Sequence, residues 1–192
     1  MKIGENMKKL FVTAAFIASS LLTPVYAADY IIDKEGAHAS INFKIKHLGF
    51  SWLTGRFNNF DGKFSYDENN ISASKISVEI DTASIDSNHD KRDKHIRTKD
   101  FLDVNKYAKA TFVSTKVEDK GNGKLAITGD LTLHGVTKSL VIDAEKVGEG
   151  KDPWGGYRLG FSGTTKISMK DYGIDSNFGD ITFDLHIEGI RK

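Results

Sequence analysis

Alternation of apolar and polar side chains constrains the fold of this chain more than any other feature. Between residues 37 and 45, Ala37, Ala39, Ile41, Phe43 and Ile45 alternate with polar side chains, a pattern typical of a strand with one face in water. The same alternation recurs seven times, so the sequence predicts an all-β fold, a single eight-stranded antiparallel barrel with an apolar interior. The predicted strands span residues 37–47, 55–66, 74–85, 110–117, 124–133, 137–147, 157–170 and 180–189.

Two irregular places are expected in this pattern. Phe57 is out of phase with the later Phe60, which predicts a bulge near residues 58–59 where the second strand bends. Residues 86–109 are too polar for a central strand, and Asn88 and Thr98 are acceptable helix N-caps. The sequence therefore predicts a short helical excursion near residues 87–105.

The N-terminal residues resemble a cleaved export signal. Lys8 and Lys9 precede the apolar stretch 10–22, and small residues at 25 and 27 mark a cleavage site. About thirteen apolar residues are too few to span a bilayer, which takes roughly 20, and no later stretch is apolar enough. We expect residues 1–27 to be a signal peptide, residues 28–192 to be one domain, the location to be periplasmic, and no transmembrane segment to be present.

Composition excludes several classes of function. The predicted mature chain carries 24 basic and 25 acidic residues, with both signs interspersed, so nothing indicates a nucleic-acid partner. The absence of cysteine excludes disulfides and thiolate metal sites. His and Asp residues between 88 and 97 lie among basic side chains and lack zinc or EF-hand spacing. We therefore predict no metal site.

Strand parity predicts which side chains face the barrel interior. Two alternatives stay open for that interior, a dry packed core or a tunnel for one hydrocarbon chain. A strand of eleven residues extends roughly 36 Å, and a lining that mixes small and aromatic residues leaves gaps, which favours a tunnel. The predicted pore residues are Ile41, Phe43, Ile45, Val78, Ile80, Leu131, Leu133, Phe161, Ile167, Met169, Phe183 and Leu185.

Three residues near one strand end are candidates for binding a polar head group. His47 continues the inward series after Ile45, and Arg56 follows the aromatic turn that contains Trp52. Arginine and histidine can donate hydrogen bonds to a phosphate or carboxylate. The alternatives are that backbone or water satisfies His47 and that Arg56 lies on the surface over Trp52.

Enzyme motifs are nearly absent. Residues 160–164 miss the nucleophile-elbow pattern at their last position and lie within a predicted strand. The chain has no His-Glu-x-x-His motif and no phosphate-binding glycine loop. We therefore predict no catalytic residues, no cofactor and no enzymatic activity, although a triad assembled in space stays open.

Seven motifs stand out along the predicted mature chain. They are FKIKHLGFSWLTGRF at 43–57, FDG at 60–62, SIDSNH at 84–89, RDKHIR at 92–97, DFL at 100–102, GDLTLHGVTK at 129–138 and DPWG at 152–155. Together they cover nearly the whole predicted mature chain and resemble, in the same order, the YceI-like family of polyisoprenoid-binding proteins. One departure is Ala108, where the family commonly has proline.

The resemblance implies a lipocalin-like barrel in the bacterial periplasm that holds a long isoprenoid or a similar amphiphilic lipid. It implies no catalytic residues, and members accept isoprenoid phosphates, quinone-like molecules or fatty amides. The leading hypothesis is therefore a carrier or sequestering protein for a polyisoprenoid-type lipid. The alternatives are an isoprenoid-processing hydrolase using His47 and an interaction module with a dry core. A homodimer through outer aromatic residues such as Trp154 stays open.

Overall fold

The computed structural model describes residues 27–175 and 179–192, so the predicted signal peptide lies outside the described residues apart from Ala27. The described chain forms eleven strands, one α-helix and three short 3-10 turns. The strands are β1 (Ala28–Ile32), β2 (Ser40–His47), β3 (Ser51–Phe57), β4 (Phe60–Tyr66), β5 (Lys75–Asp81), β6 (Ile85–Asp86), β7 (Lys109–Gly121), β8 (Lys124–Leu133), β9 (Val136–Lys151), β10 (Tyr157–Ser168) and β11 (Asp180–Arg191). The helix is α1 (Asp90–Ile96).

These eleven strands make eight barrel strands, because each of the first three barrel strands is interrupted. β1 and β2 form the first, β3 and β4 the second, and β5 and β6 the third. All pairings are antiparallel, and β11 closes the barrel by pairing with β10 on one edge and with both β1 and β2 on the other. The predicted eight-stranded antiparallel barrel is confirmed.

Local hydrogen bonds explain two of the interruptions. The Asp33 side chain accepts a hydrogen bond from the backbone of Gly36 at 2.9 Å, and Ala37 has a positive φ of 55°. This turn explains why the predicted first strand, 37–47, begins only at Ser40. Between β5 and β6, buried Thr82 donates its hydroxyl to the Tyr107 carbonyl at 2.7 Å and starts a 3-10 turn.

The break between β3 and β4 falls at the predicted bulge. Residues 58 and 59 belong to no strand, while Phe57 and Phe60 on either side are both buried. One extra residue relative to strict alternation lets both rings face inward. The bend therefore keeps the apolar side chains of one barrel strand on the same face.

The helix begins one residue later than predicted. His89 is the N-cap, with Nδ1 accepting a hydrogen bond from the Arg92 backbone at 3.2 Å, whereas Asn88 has a positive φ of 60° and precedes the cap. Within the described residues no helix follows Thr98, which instead begins a series of turns. The excursion is thus helical for only seven residues.

Polar side chains attach α1 to the interrupted third barrel strand. Buried Asp93 accepts hydrogen bonds from the backbone and hydroxyl of Ser87. Arg97 donates to the carbonyls of Ala83 and Ile85 at 2.7 and 2.6 Å. The charged residues Asp93 and Arg97 therefore hold the helix against the barrel wall.

An ion-pair cluster on the outer surface joins distant parts of the chain. Arg158 on β10 donates hydrogen bonds to Asp33, to Glu188 on β11 and, at 2.9 Å, to Asp152. The Arg158 guanidinium lowers the pKa of Asp33 to about 2. His38 also contacts Asp33 at 2.9 Å, so three potential metal ligands converge there. The Arg158 guanidinium already donates hydrogen bonds to the carboxylates of Asp33 and Glu188, so we interpret the cluster as a structural contact.

Candidate functional site

The barrel encloses an apolar cavity of about 510 Å³, a size typical of small-molecule sites. Its lining includes Leu125 near one end of β8 and Leu133 at the other, and the eight residue steps between them extend roughly 27 Å along the strand. Ile96 of α1 lies at the Leu133 end. The interior is therefore an elongated cavity, which disagrees with the dry-core alternative.

All twelve predicted pore residues line this cavity. Several, including Phe183 and Leu185, are only partly buried although they point into the barrel, because the cavity leaves their inner surfaces accessible. Contact of these residues with a lipid stays a prediction. The twelve residues are Ile41, Phe43, Ile45, Val78, Ile80, Leu131, Leu133, Phe161, Ile167, Met169, Phe183 and Leu185.

Aromatic rings narrow the cavity at the end remote from α1. Phe64 stacks on Tyr30 with ring centroids 4.9 Å apart, and it meets the edge of Phe161 at 5.8 Å. Tyr66 also packs edge-on against Phe161, at 5.4 Å. Edge-on and offset packing stabilises such clusters beyond simple burial. Packed aromatic rings therefore form the wall at this end of the cavity.

Few polar groups interrupt the apolar lining. Thr165 donates its hydroxyl to the Val141 carbonyl at 2.8 Å. Ser74 is only 4% exposed, and its Oγ has no hydrogen-bond partner within the described residues. Ser74 belongs to the cavity lining, but its Oγ is buried and does not face the open space of the cavity.

Basic side chains gather where α1 meets the cavity. His47 at the end of β2, together with Arg92 and His95 of α1, belongs to the lining, whereas the Lys46 ammonium lies over the outward-facing Trp52 ring. No Asp or Glu of the described residues lines the cavity. We call this end the basic mouth. Its charge favours a ligand whose polar end is anionic or accepts hydrogen bonds.

Sequence reasoning missed the two helical members of the basic mouth. Arg92 and His95 are three residues apart, a spacing that places both on one face of a helix. Arg92 donates to the Ser87 hydroxyl at 2.7 Å, and His95 packs edge-on against Phe101 with centroids 5.0 Å apart. The RDKHIR motif contains the signal, because the three-residue spacing of Arg92 and His95 is visible in it.

The structure places Trp52 and Arg56 on the outer face of β3, outside the cavity lining. Contact of either residue with a head group stays a prediction. Leu53 and Phe57 line the cavity, and Trp52 and Arg56 alternate with them along the strand. The Trp52 ring lies 6.0 Å from the Lys46 ammonium. Of the three head-group candidates, only His47 lines the cavity.

A closed antiparallel barrel around an apolar cavity with a basic mouth is an architecture typical of lipid-binding proteins. A family model described as the YceI-like domain matches residues 30–189. A UPF0312 protein of Shewanella sp. strain ANA-3 is 59% identical over 192 residues, covering 97% of this chain and 100% of the relative. The chain therefore belongs to the YceI-like family.

Solved structures agree with this assignment. A YceI protein from Campylobacter jejuni superposes with a TM-score of 0.69 at 34% identity, over 77% of this chain and 90% of that chain. A polyisoprenoid binding domain from Saccharophagus degradans has a TM-score of 0.62 at 16% identity, over 86% and 99% of the two chains, and shares the fold. Among the described residues, no helix has the length and apolar character needed to cross a bilayer.

Proposed function

We propose that this protein binds one long-chain amphiphilic lipid of the polyisoprenoid type and carries or sequesters it in the periplasm. The observation that supports this proposal is the elongated apolar cavity. Its lining contains no acidic side chain of the described residues. The hydrocarbon chain occupies the cavity and its polar end lies at the basic mouth. Each buried methylene contributes about 0.8 kcal/mol, so chain length supplies most of the affinity.

The choice of ligand class draws support from the family. A neighbour of the same fold is described as a polyisoprenoid binding domain, and an isoprenoid chain matches a lining of branched aliphatic and aromatic residues. A quinone or a fatty amide also combines an apolar chain with a hydrogen-bonding end. The basic mouth accepts the polar end of any of these, so identification of the bound molecule decides among them.

A binding role fits the lining better than hydrolysis does. Within the described residues, His47 has no hydrogen bond to a carboxylate or to a serine hydroxyl, so the arrangement lacks the oriented base that a hydrolase uses. The proposed periplasmic location rests on the signal-like residues 1–27. Carriage between membranes or capture of free lipid is consistent with both features.

A charged side chain placed in the cavity tests the proposal. Phe183→Asp puts a carboxylate into the lining opposite Phe43, where burying it beside a hydrocarbon chain is costly. We expect this variant to lose its lipid while its far-UV circular dichroism stays native-like. Native and denaturing mass spectrometry of protein purified without detergent measure the retained lipid, and fragmentation identifies it.

The matched control is Thr182→Asp, on the neighbouring position of the same strand. Thr182 points away from the cavity and pairs with Lys44 and Lys166 on adjacent strands, which accommodate a carboxylate. Thr182→Asp should keep the lipid. A folded Phe183→Asp variant with full lipid content, or a wild-type protein that binds no amphiphile, would refute the proposed function.

A further inference from the structure

Three large apolar side chains are exposed at the turn between β2 and β3 and at the start of β3. Leu48, Phe50 and Trp52 are 69%, 87% and 55% exposed, and we call residues 48–52 the β2–β3 tip. A Cβ built on Gly49 would meet no other atom within 4 Å, so the tip protrudes from the barrel. Such a concentration of exposed apolar surface is unusual in a folded domain and commonly marks a contact site.

The conformation of Leu48 makes this exposure harder to explain by folding alone. Leu48 and Gly49 both have positive φ, 50° and 83°, and Phe50 donates its backbone hydrogen bond to the His47 carbonyl at 2.9 Å. Hairpin turns with positive φ at both central positions prefer Asn, Asp or Gly. Leucine at this position neither suits the turn nor packs in the core, and strained positions of this kind cluster at functional sites.

The charges of the same hairpin have one sign. Between residues 44 and 56 the charged side chains are Lys44, Lys46 and Arg56, with no Asp or Glu. Lys44 also contacts Asp184 at 3.2 Å, and Lys46 lies over the Trp52 ring. Basic side chains beside exposed Trp and Phe are typical of segments that lie at the surface of an anionic bilayer.

The position of the tip connects this surface to the cavity. His47 and Leu53, which flank the tip on β2 and β3, both line the cavity at the basic mouth. Arg92 and His95 lie at the same end. A membrane that contacts the tip therefore faces the end of the cavity that carries the basic mouth.

We propose that the β2–β3 tip inserts into the head-group region of an anionic bilayer and brings the basic mouth against the membrane. The inference rests on the proposed function, because it supplies the route by which the lipid reaches the cavity. A lipid surface fits the tip better than a protein partner does, because a protruding apolar turn with cationic flanks matches a deformable anionic interface. Transfer then proceeds without exposing the hydrocarbon chain to water.

Vesicle binding of a Leu48→Asn/Phe50→Ser double variant tests this inference. Asparagine suits the positive φ at position 48, so the variant should fold at least as stably as the wild type. We expect the wild type to co-sediment with phosphatidylglycerol–phosphatidylcholine vesicles and to bind pure phosphatidylcholine vesicles much more weakly. The double variant should lose at least tenfold in its partition coefficient and in its rate of lipid transfer to vesicles.

Val147→Ser is the matched control, since Val147 is 73% exposed but lies on β9 and does not line the cavity. Its partition coefficient should be unchanged. Unchanged vesicle binding by the double variant, no binding by the wild type, or a dimer in sedimentation that the double variant dissociates would overturn the inference. Lipid content measured by native mass spectrometry separates the two proposals, because a wild-type protein that retains its lipid but does not bind vesicles refutes the membrane inference alone.

Discussion

Side-chain size shapes the cavity wall as much as polarity does. Gly129 points inward on β8, where the Phe112 ring lies across it; a Cβ there would be 2.4 Å from the ring and 2.7 Å from the Val113 carbonyl. Gly55 makes the same space for Phe43. These glycines let large rings lie flat against the wall, which keeps the lumen open.

Gly129→Ala should therefore destabilise the protein. The added methyl group must displace the Phe112 ring and the Val113 backbone, and overpacking of this kind costs about 1–3 kcal/mol in the free energy of unfolding. Urea unfolding followed by circular dichroism measures the change. Gly148→Ala is the control, because a Cβ at Gly148 meets no atom within 4 Å and should change the unfolding free energy by less than about 0.5 kcal/mol. Equal effects of the two substitutions would contradict the steric argument.

The direction of the lining side chains was easier to predict from the sequence than the direction of the residues near the basic mouth. Where apolar residues occupy every second position, as around Phe43, parity alone places each side chain. Around Gly55 the inward position carries no side chain, so alternation does not show that Arg56 faces outward. His95 was missed for another reason, since its direction depends on a helix only seven residues long.

The Arg158 cluster connects strands that are far apart in sequence. Asp33 directly follows β1, Arg158 lies on β10 and Glu188 on β11, so their contacts hold the turn between β1 and β2 against the closing edge of the barrel. Asp33 is only 5% exposed. Its carboxylate is therefore stabilised mainly by the guanidinium rather than by water.

Acid should weaken this contact in a defined pH range. The pKa of Asp33 falls from 3.8 to about 2 in the folded protein, so between these values the unfolded chain binds more protons and unfolding is favoured as pH drops. The contribution, about 2 kcal/mol from the size of the shift, is complete above about pH 5 and is lost progressively as the pH falls towards about 1. Urea unfolding at pH 5, 4, 3 and 2 measures it. Asp33→Asn should be less stable at pH 5 and lose less stability on acidification; an identical pH profile would show that Asp33 does not contribute.

Long uninterrupted strands were the easiest elements to predict. β8 matches its predicted range of 124–133, and the later strands differ mainly in length. β1 was missed because its five residues show too short an alternation. The break between β5 and β6 was missed because it depends on Thr82 bonding to Tyr107, a contact between residues 25 positions apart that local patterning does not record.

The molecule as a whole combines a closed sheet with an unfilled centre. A closed sheet has no free edge at which strands could pair with other chains. The interior, in contrast, is a cavity that the protein's own side chains line but do not fill. Stability should therefore depend on what occupies the cavity.

Removal of the bound lipid should lower the melting temperature. A ligand present at 100 times its dissociation constant stabilises the folded state by about 2.7 kcal/mol, which corresponds to roughly 5–10 °C for a domain of this size. Differential scanning calorimetry of protein before delipidation, after it and after lipid is restored measures the shift. Phe183→Asp should melt at the same temperature with and without lipid. A wild-type protein whose melting temperature does not change with lipid would contradict the prediction that bound lipid stabilises the fold.

The closing role of β11 has a consequence for biosynthesis. β11 follows every other barrel strand in the chain and alone supplies the partners of β10, β1 and β2 across the seam. A nascent chain emerges from its N-terminus, so ten strands are available before the seam can form. Until the last dozen residues arrive, the sheet has two free edges and the lumen has no complete wall. Loading with lipid is therefore a step that follows completion of the polypeptide. Deletion of β11 alone would leave the barrel open and the cavity without a complete wall.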